Sequence, residues 1–154
     1  MATTTKISSG AIMSEYDSVK DTFPISTAGT GTVSVLSRKV VGTSTTFTTD
    51  FRNGDFIWLK DNDEVMRVEF VLSDTELTLE MDATTDASTT YGIVPRIGFN
   101  SVSYLVDDIG GVNINGINIP ANSSESFSTN RTFHPLLIDS TGNSNIVVVT
   151  AKSK

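Results

Sequence analysis

The chain has 154 residues, no cysteine, and 11 Lys and Arg against 18 Asp and Glu, for a formal net charge of -7. The lack of cysteine excludes disulfides, thiolate metal sites and cysteine nucleophiles. The acidic balance argues against nucleic-acid binding, which needs clustered basic side chains. No run approaches the about 20 apolar residues of a membrane helix. The first ten residues lack the charged and apolar blocks of a signal peptide, which predicts synthesis in the cytoplasm.

Residues 1–28 differ from the rest of the chain, since they open with a Thr- and Ser-rich segment that cannot build a core. Ser14 as an N-cap, acidic residues in the next turn and Pro24 as a stop predict a short helix. The apolar side chains are too many for an idle tail; they are Ile7, Ile12, Met13, Tyr16, Val19, Phe23 and Ile25. We therefore predict an extended N-terminal arm that docks on a partner or a neighbouring subunit. Packing back onto the chain's own β domain is the alternative.

Residues 29–95 consist of short apolar-alternating runs separated by turn residues. Such alternation is typical of half-buried strands. The apolar residues that lie two positions apart, and so point to one side of a strand, are Val33 and Val35; Phe56 and Trp58; Met66, Val68 and Phe70; and Leu77, Leu79 and Met81. Four or five strands in so short a span predict a small β-barrel of SH3 or OB size, because closure removes exposed edges. We expect a turn at 53–55, a polar loop over 82–90 and a closing strand over 91–99.

The pattern of strands and turns over residues 96–154 predicts a second, antiparallel β unit of sandwich-like form. Asn115-Gly116 between two alternating runs is the strongest short-range sign of a two-residue hairpin, and Pro120 ends that hairpin. Further strands are expected over 101–106, 135–138 and 146–149, the last two joined by a turn. Residues 123–132 are expected to form a polar connection.

Nine acidic residues fall in one block of the chain with only Arg67 against them; they are Asp61, Asp63, Glu64, Glu69, Asp74, Glu76, Glu80, Asp82 and Asp86. A solvated outer surface explains them, and the functional alternative is an acidic patch that steers a basic partner. The loop 61–64 has oxygen ligands of the kind that calcium prefers. It lacks the turn glycine and the distal glutamate of a calcium loop, so a hairpin tip is the favoured interpretation.

Catalytic groups are scarce in this sequence. His134 is the single histidine, and a Ser-His-Asp hydrolase would also need a nucleophile elbow that the sequence lacks. One histidine cannot supply the ligands of a metal hydrolase. The carboxylates are numerous enough for a glycosidase-like pair, but nothing separates two of them from the acidic block. The sequence therefore predicts a protein that is not an enzyme, with no catalytic residue, no cofactor or cofactor-binding residue and no metal ligand.

Five segments of the predicted barrel resemble a small β module found in head and tail proteins of tailed bacteriophages. The segments are Gly29–Val33, Val41–Phe47, Gly54–Ile57, Arg67–Val68 and Ser73–Leu79. They correspond to a V-x-G-T-G-T-x-F strand start, a G-D-x-I turn and an S-D-T-x-L-T-L closing strand, with Ser44 where the module often has glycine. The segment from Ile7 to Tyr16 also resembles the I-S-x-x-x-I-x-x-E-F start of some T4-like phage structural proteins, with Tyr16 in place of phenylalanine.

This resemblance implies a virion structural protein of the head decoration, neck, tail or baseplate, without catalytic residues. Its implied partners are other virion proteins and copies of itself in a homo-oligomer or symmetric array, with no nucleic acid and no membrane. The alternative hypothesis is a module of the particle that recognises glycans or a host surface through Trp58, Tyr91 or Tyr104, because aromatic rings suit the binding of sugars.

Overall fold

The computed structural model describes residues 2–8, 11–95, 101–106, 112–120, 124–128, 135–141 and 146–152. Within these ranges the chain is all-β, as predicted, apart from the single-turn helix α1 at Phe47–Asp50. The strands are β1 Ala2–Ser8, β2 Ala11–Asp17, β3 Lys20–Phe23, β4 Thr27–Ala28, β5 Thr32–Thr43, β6 Phe56–Leu59, β7 Glu64–Ser73, β8 Glu76–Thr89, β9 Tyr91–Val94, β10 Ser101–Val106, β11 Val112–Ile114, β12 Ile117–Ile119, β13 Ser124–Ser128, β14 Leu136–Asp139 and β15 Ile146–Lys152. In the described residues, no helix is long and apolar enough to cross a membrane.

The chain divides into two compact units. The first consists of Met1–Ile25 together with Ile97–Lys154, and the second consists of Ser26–Arg96. The first unit has a five-stranded sheet of order β1-β2-β15-β10-β13 and a four-stranded sheet of order β12-β11-β14-β3. The second unit has a six-stranded sheet of order β4-β9-β6-β7-β8-β5. The N-terminal and C-terminal parts of the chain thus share one unit, and the middle of the chain forms the other.

Residues 2–25 do not form the predicted arm. β2 lies between β1 and β15, and β3 pairs with β14, so these residues are integral strands of the first unit. The helix predicted from Ser14 is also wrong, because Ala11–Asp17 is a strand. Ile12, Ser14 and Tyr16 alternate with period two, which places them on one side of the sheet. Pairing along β15 outweighs a weak helix-cap signal, as tertiary context commonly does.

One hydrophobic core joins the two sheets of the first unit. Its buried side chains come from both sheets and are Tyr16, Phe23, Tyr104, Val112, Ile114, Leu136, Ile138, Val149 and Ala151. The Tyr16 hydroxyl is buried and donates a 2.6 Å hydrogen bond to the carbonyl oxygen of Thr22. The Ser140 hydroxyl accepts from the amide of Val19 and donates to its carbonyl, both at 3.0 Å, across 121 positions of sequence. Buried apolar area and satisfied polar groups therefore both hold the N-terminal strands in place.

The connections of the C-terminal region differ in part from the prediction. β13 lies within the stretch predicted as a polar connection, and it pairs with β10. β14 and β15, which were predicted as two strands joined by a turn, belong to different sheets in the described part of the chain. The hairpin at Asn115-Gly116 is confirmed, since β11 pairs with β12 and the two turn residues have φ values of 52° and 78°. These left-handed values are the ones that asparagine and glycine tolerate.

The second unit encloses its own core beneath the six-stranded sheet. The buried side chains are Val33, Val35, Val40, Phe47, Phe51, Ile57, Leu59, Val68, Leu77, Leu79, Ala83 and Tyr91. The predicted hairpin tip at 61–64 joins β6 to β7. The predicted polar loop over 82–90 is wrong, because β8 continues to Thr89 and pairs with β5 along this stretch, where Ala83 and Thr89 are buried. The end strands β4 and β5 are not paired with each other in the described residues, so the predicted closed barrel is not confirmed.

β5 is bent so strongly that its two halves meet. The Ser34 hydroxyl donates to the carbonyl oxygen of Val41 at 3.4 Å, whereas seven residues of straight strand would span about 23 Å. The corner lies at Ser37, whose φ is 57°. The Ser37 hydroxyl donates a 2.5 Å hydrogen bond to Asp82 of β8, which fixes the corner against the neighbouring strand.

This bend covers the free edge of β5. The Gly42 amide donates to the Thr75 carbonyl of the β7–β8 turn, so the carbonyl groups of Val41 and Thr43 point to the other side, as strand alternation requires. Gly31 lies so close to the Thr43 carbonyl oxygen that an added Cβ atom would be 2.1 Å away from it. Residues 31–34 therefore shield an edge that would otherwise be free to pair with another chain.

Candidate functional surface

The aromatic side chains proposed for sugar binding are buried in the structure. Trp58, Tyr91 and Tyr104 are exposed by 5%, 1% and 8%. Stacking on a sugar needs an exposed ring face, so these three residues do not provide the predicted aromatic platform. The Lys60 ammonium nitrogen lies 5.2 Å from the centroid of the Trp58 ring. His134 lies outside the described residues.

Tyr91 anchors the core of the second unit instead of presenting a reactive hydroxyl. Its ring packs at centroid distances of 5.8 Å from Phe47 and 5.9 Å from Phe51. Its hydroxyl lies 2.9 Å from the Asp50 carboxylate and 3.0 Å from the carbonyl oxygen of Thr30. Burial raises the pKa of this hydroxyl above its ordinary value, and the hydrogen bond to Asp50 and the charge of Asp50 add to the rise. The group therefore stays neutral at physiological pH and acts as a hydrogen-bonding anchor.

Cations from β5 neutralise part of the acidic block. Three ion pairs cross the β5–β8–β7 sheet: Arg38 to Glu69 at 2.5 Å, Lys39 to Glu76 at 3.4 Å and Arg67 to Glu80 at 3.4 Å. Several other acids of the block accept local hydrogen bonds, among them Glu64 from Thr84 and Asp82 from Ser37. Only Arg67 lies within the acidic block in the sequence, because the other two cations, Arg38 and Lys39, come from β5. Three of the nine acidic residues are thus paired with cations, so the block is less acidic than its sequence suggests.

Two of the phage-like segments meet in one hydrogen-bonded junction. The Thr45 hydroxyl and the Phe47 amide donate to the carbonyl oxygen of Asp74 at 2.5 and 3.2 Å, and the Gly42 amide donates to the Thr75 carbonyl at 2.9 Å. A Cβ atom at Gly42 would lie 2.0 Å from the Thr45 hydroxyl oxygen, so this approach requires glycine. The residues that carry the resemblance therefore hold strands together at this point.

Three large apolar side chains are exposed on one side of β5, β8 and β7. Val41, Phe70 and Leu72 are exposed by 40%, 51% and 58%. Phe70 lies opposite Thr78, Thr78 lies opposite Lys39, and Val41 lies opposite Glu76. Residues opposite each other in a sheet project to the same side. Leu72 follows Val71, which lies opposite the buried Leu77, so strand alternation places Leu72 on the same side as Phe70. We call this side the outer face; its residues are Lys39, Val41, Phe70, Leu72, Glu76 and Thr78.

Since Phe70 lies two positions after the buried Val68, alternation predicts that both point to the same side of the sheet. The structure shows why this prediction is wrong. The pairing of β7 with β8 shifts register between Val68 and Phe70, and it shifts again between Val71 and Ser73. Each shift inserts one residue into β7, which turns the following side chains to the other side of the sheet. The sequence around these positions, Glu69-Phe70-Val71-Leu72, carries no glycine or other residue that would signal a bulge.

The geometry defines an all-β protein of two compact units with an exposed apolar face on the second. Among the described residues, no group of three or more His, Asp or Glu side chains could hold a metal ion. Comparison with protein-family models, with curated proteins and with solved structures gives no match for this chain. The features that bear on function are therefore the resemblance of the motifs and the geometry of this surface.

Proposed function

We propose that this protein is a structural component of a tailed-phage particle, where it acts by repetitive protein–protein assembly. The five segments that resemble the phage β module fall within the second unit, and most of them lie at strand ends and turns, whereas the segment from Ile7 to Tyr16 belongs to the first unit. Their residues make backbone junctions such as the one between Gly42 and Thr75. The residues that define this module thus serve to join strands, which is the role expected of a structural component. The particle would be assembled in the host cytoplasm.

The finer architecture of this proposal is that of a small barrel-like module. β5 bends at Ser37, and its halves meet at Ser34 and Val41. Curvature of this kind is what a closed form would require, and it protects a free edge. In an array of many copies, a protected edge prevents unlimited strand addition, so contacts between copies would be made through faces.

The observation that carries the proposal is the exposed apolar surface of the second unit. Besides the outer face, Leu36 and Met81 on β5 and β8 are exposed by 68% and 71%. Scattered apolar side chains on a surface need no explanation, but several on adjacent strands mark an interaction site. A component of a particle would cover such side chains with its neighbours.

The test is whether the chain is present in the particle. Antibodies raised against the purified chain should label gradient-purified particles of the virus that encodes it, and mass spectrometry of those particles should find its peptides. Particles that lack the chain, when the lysate of infected cells contains it, would contradict the proposal. A host-surface or glycan role would instead predict specific binding of the purified chain to host cells.

A further inference from the structure

We propose that the outer face of β5, β8 and β7 binds a second copy of this chain. The three strands bring Val41, Phe70 and Leu72 to one side of the sheet. Phe70 is separated from Lys39 by Thr78 alone, and Val41 is the direct neighbour of Glu76. Neighbouring strands lie about 4.8 Å apart, so these apolar side chains fall within a patch about 10 Å wide. A patch of this width can be covered by the same patch of another molecule.

The charges at this face favour a second copy over other partners. The three ion pairs that border it contribute three cations, Arg38, Lys39 and Arg67, and three anions, Glu69, Glu76 and Glu80. Their side chains are between 36% and 55% exposed. These ion pairs therefore add no net charge to this side of the sheet, on a chain whose net charge is -7. Two copies repel each other over a net acidic surface, but they can approach here without that repulsion.

The same balance argues against a strongly charged partner at this face. A basic protein or a nucleic acid is recognised by an excess of charge of the opposite sign, and the outer face has none. Charges of both signs side by side are instead self-complementary, because a two-fold operation can set cations of one copy opposite anions of the other. The isologous contact thus covers the apolar side chains of the face and sets balanced charges of the two copies against each other.

A contact through the outer face also agrees with the covered edge of β5. Residues 31–34 lie over the outer edge of the second half of β5, as shown by the contacts of Ser34 and Gly31. A second copy cannot add a strand at that edge without displacing them. The accessible apolar surface at this end of the sheet is therefore its outer face, and we infer face-to-face packing instead of edge pairing.

The experiment measures the dissociation constant of the full-length chain by sedimentation equilibrium over a wide range of concentration. Wild type should show a concentration-dependent monomer–dimer equilibrium. Phe70→Lys and Leu72→Lys each place an unpaired charge in the centre of the contact, and each should raise the dissociation constant by about 30-fold or more. Both positions are exposed in the single chain, so circular dichroism and the thermal midpoint should stay near those of wild type.

Ile117→Lys is the matched control, because Ile117 is 65% exposed in the β11–β12 hairpin of the first unit, outside the outer face. This variant should dimerise like wild type. A wild-type chain that stays monomeric at every concentration would overturn the inference, as would an equal loss of dimer in the Ile117 and Phe70 variants. The inference rests on the proposed assembly role, yet the two fail separately: a monomeric chain that is nevertheless found in particles leaves that role intact.

Discussion

Single residues explain much of the local order, and Asn115 is the clearest case. The backbone N–H of Asn115 donates to the carbonyl oxygen of Leu137 at 2.9 Å, and the side-chain oxygen of Asn115 accepts from the backbone N–H of Leu137 at 2.8 Å. The side chain thus takes the part that a backbone carbonyl plays in a regular ladder, while the φ of 52° starts the hairpin turn. One residue therefore both bends the chain and satisfies the neighbouring strand β14.

Replacing Asn115 tests this double role. Asn115→Ala removes the acceptor and places a less tolerant residue at positive φ, which should cost about 1–3 kcal/mol of stability. Asn115→Asp keeps an acceptor oxygen and should cost clearly less. Hydrogen exchange measured by NMR should show the Leu137 amide losing its protection in the alanine variant and keeping it in the aspartate variant. Equal protection of Leu137 in both variants would show that the side-chain contact is unimportant.

Tyr91 predicts how the second unit responds to alkaline pH. Its pKa is raised in the folded chain from the ordinary value of 10.0, so the folded state holds the hydroxyl proton more tightly than the unfolded state. The stability linked to this group is present in full below pH 10 and is lost as pH rises toward the folded pKa. The free energy of unfolding of the second unit should therefore fall above about pH 10.

Fluorescence of Trp58, the single tryptophan, reports on this unit during urea unfolding. Tyr91→Phe should be less stable at neutral pH, because it loses the contacts to Asp50 and Thr30, and its stability should fall less steeply in the alkaline range. Identical alkaline slopes for the two proteins would remove Tyr91 as the cause. Since Tyr16 and Tyr104 belong to the first unit, they do not confuse this comparison.

At the level of elements, the N-terminal strands decide the integrity of the first unit. β2 is an inner strand of the five-stranded sheet, and β3 carries the fully buried Phe23 into the shared core. Deleting residues 1–25 removes β2, which pairs with β15, and β3, which pairs with β14, so that β15 and β14 each lose a neighbouring strand. A central strand contributes hydrogen bonds and buried area on both of its edges, so the remaining strands should not keep the fold.

The deletion chain should therefore lose a large part of its β signal in circular dichroism, while the fluorescence transition of Trp58 in the second unit remains. A peripheral arm would give the opposite result, namely a full β signal and changed assembly only. If the deletion leaves the far-ultraviolet spectrum per residue unchanged, strands β2 and β3 are not needed for the first unit.

At the level of the whole molecule, the two units differ in continuity. The second unit is a continuous segment, Ser26–Arg96, whereas the first is made from both ends of the chain. Each unit has its own buried cluster. A continuous segment with its own core can fold without the rest of the chain, although a unit of this size buries a limited fraction of its surface.

Residues 26–96 expressed alone should give a cooperative urea transition of Trp58 fluorescence. The full-length protein should then show two transitions when total β content is followed, since a two-unit chain need not unfold in one step. An isolated segment without any cooperative transition would show that the second unit depends on the first for its fold.

Much of the fold follows from the sequence because its signals are local. Alternation predicted the strands around Val33 and Leu77, the apolar run at 146–149 predicted β15, and the turn residues predicted the hairpin at Asn115-Gly116. The predicted strand of residues 101–106 coincides with β10. These features depend on neighbours within a few positions, which composition and spacing record directly.

The candidate surface could not be predicted in the same way. The bulges that turn Phe70 and Leu72 outward have no marker residue, because they arise from the pairing of β7 with β8. The cations that oppose Glu69 and Glu76 come from β5, 31 and 37 positions earlier, and only the sheet brings them together. Counting charges along the chain therefore overstated the acidity of this region.

By itself, the sequence determined that this is an all-β chain of short antiparallel strands with tight turns. Tertiary structure alone decided that the N-terminal strands join the C-terminal ones, that β8 continues through a polar stretch, and which apolar side chains face outward. The physical reason is the range of the forces involved. Backbone preferences and side-chain alternation act between close neighbours, whereas strand partners and register are chosen by hydrogen bonds and burial between segments that are far apart in the chain.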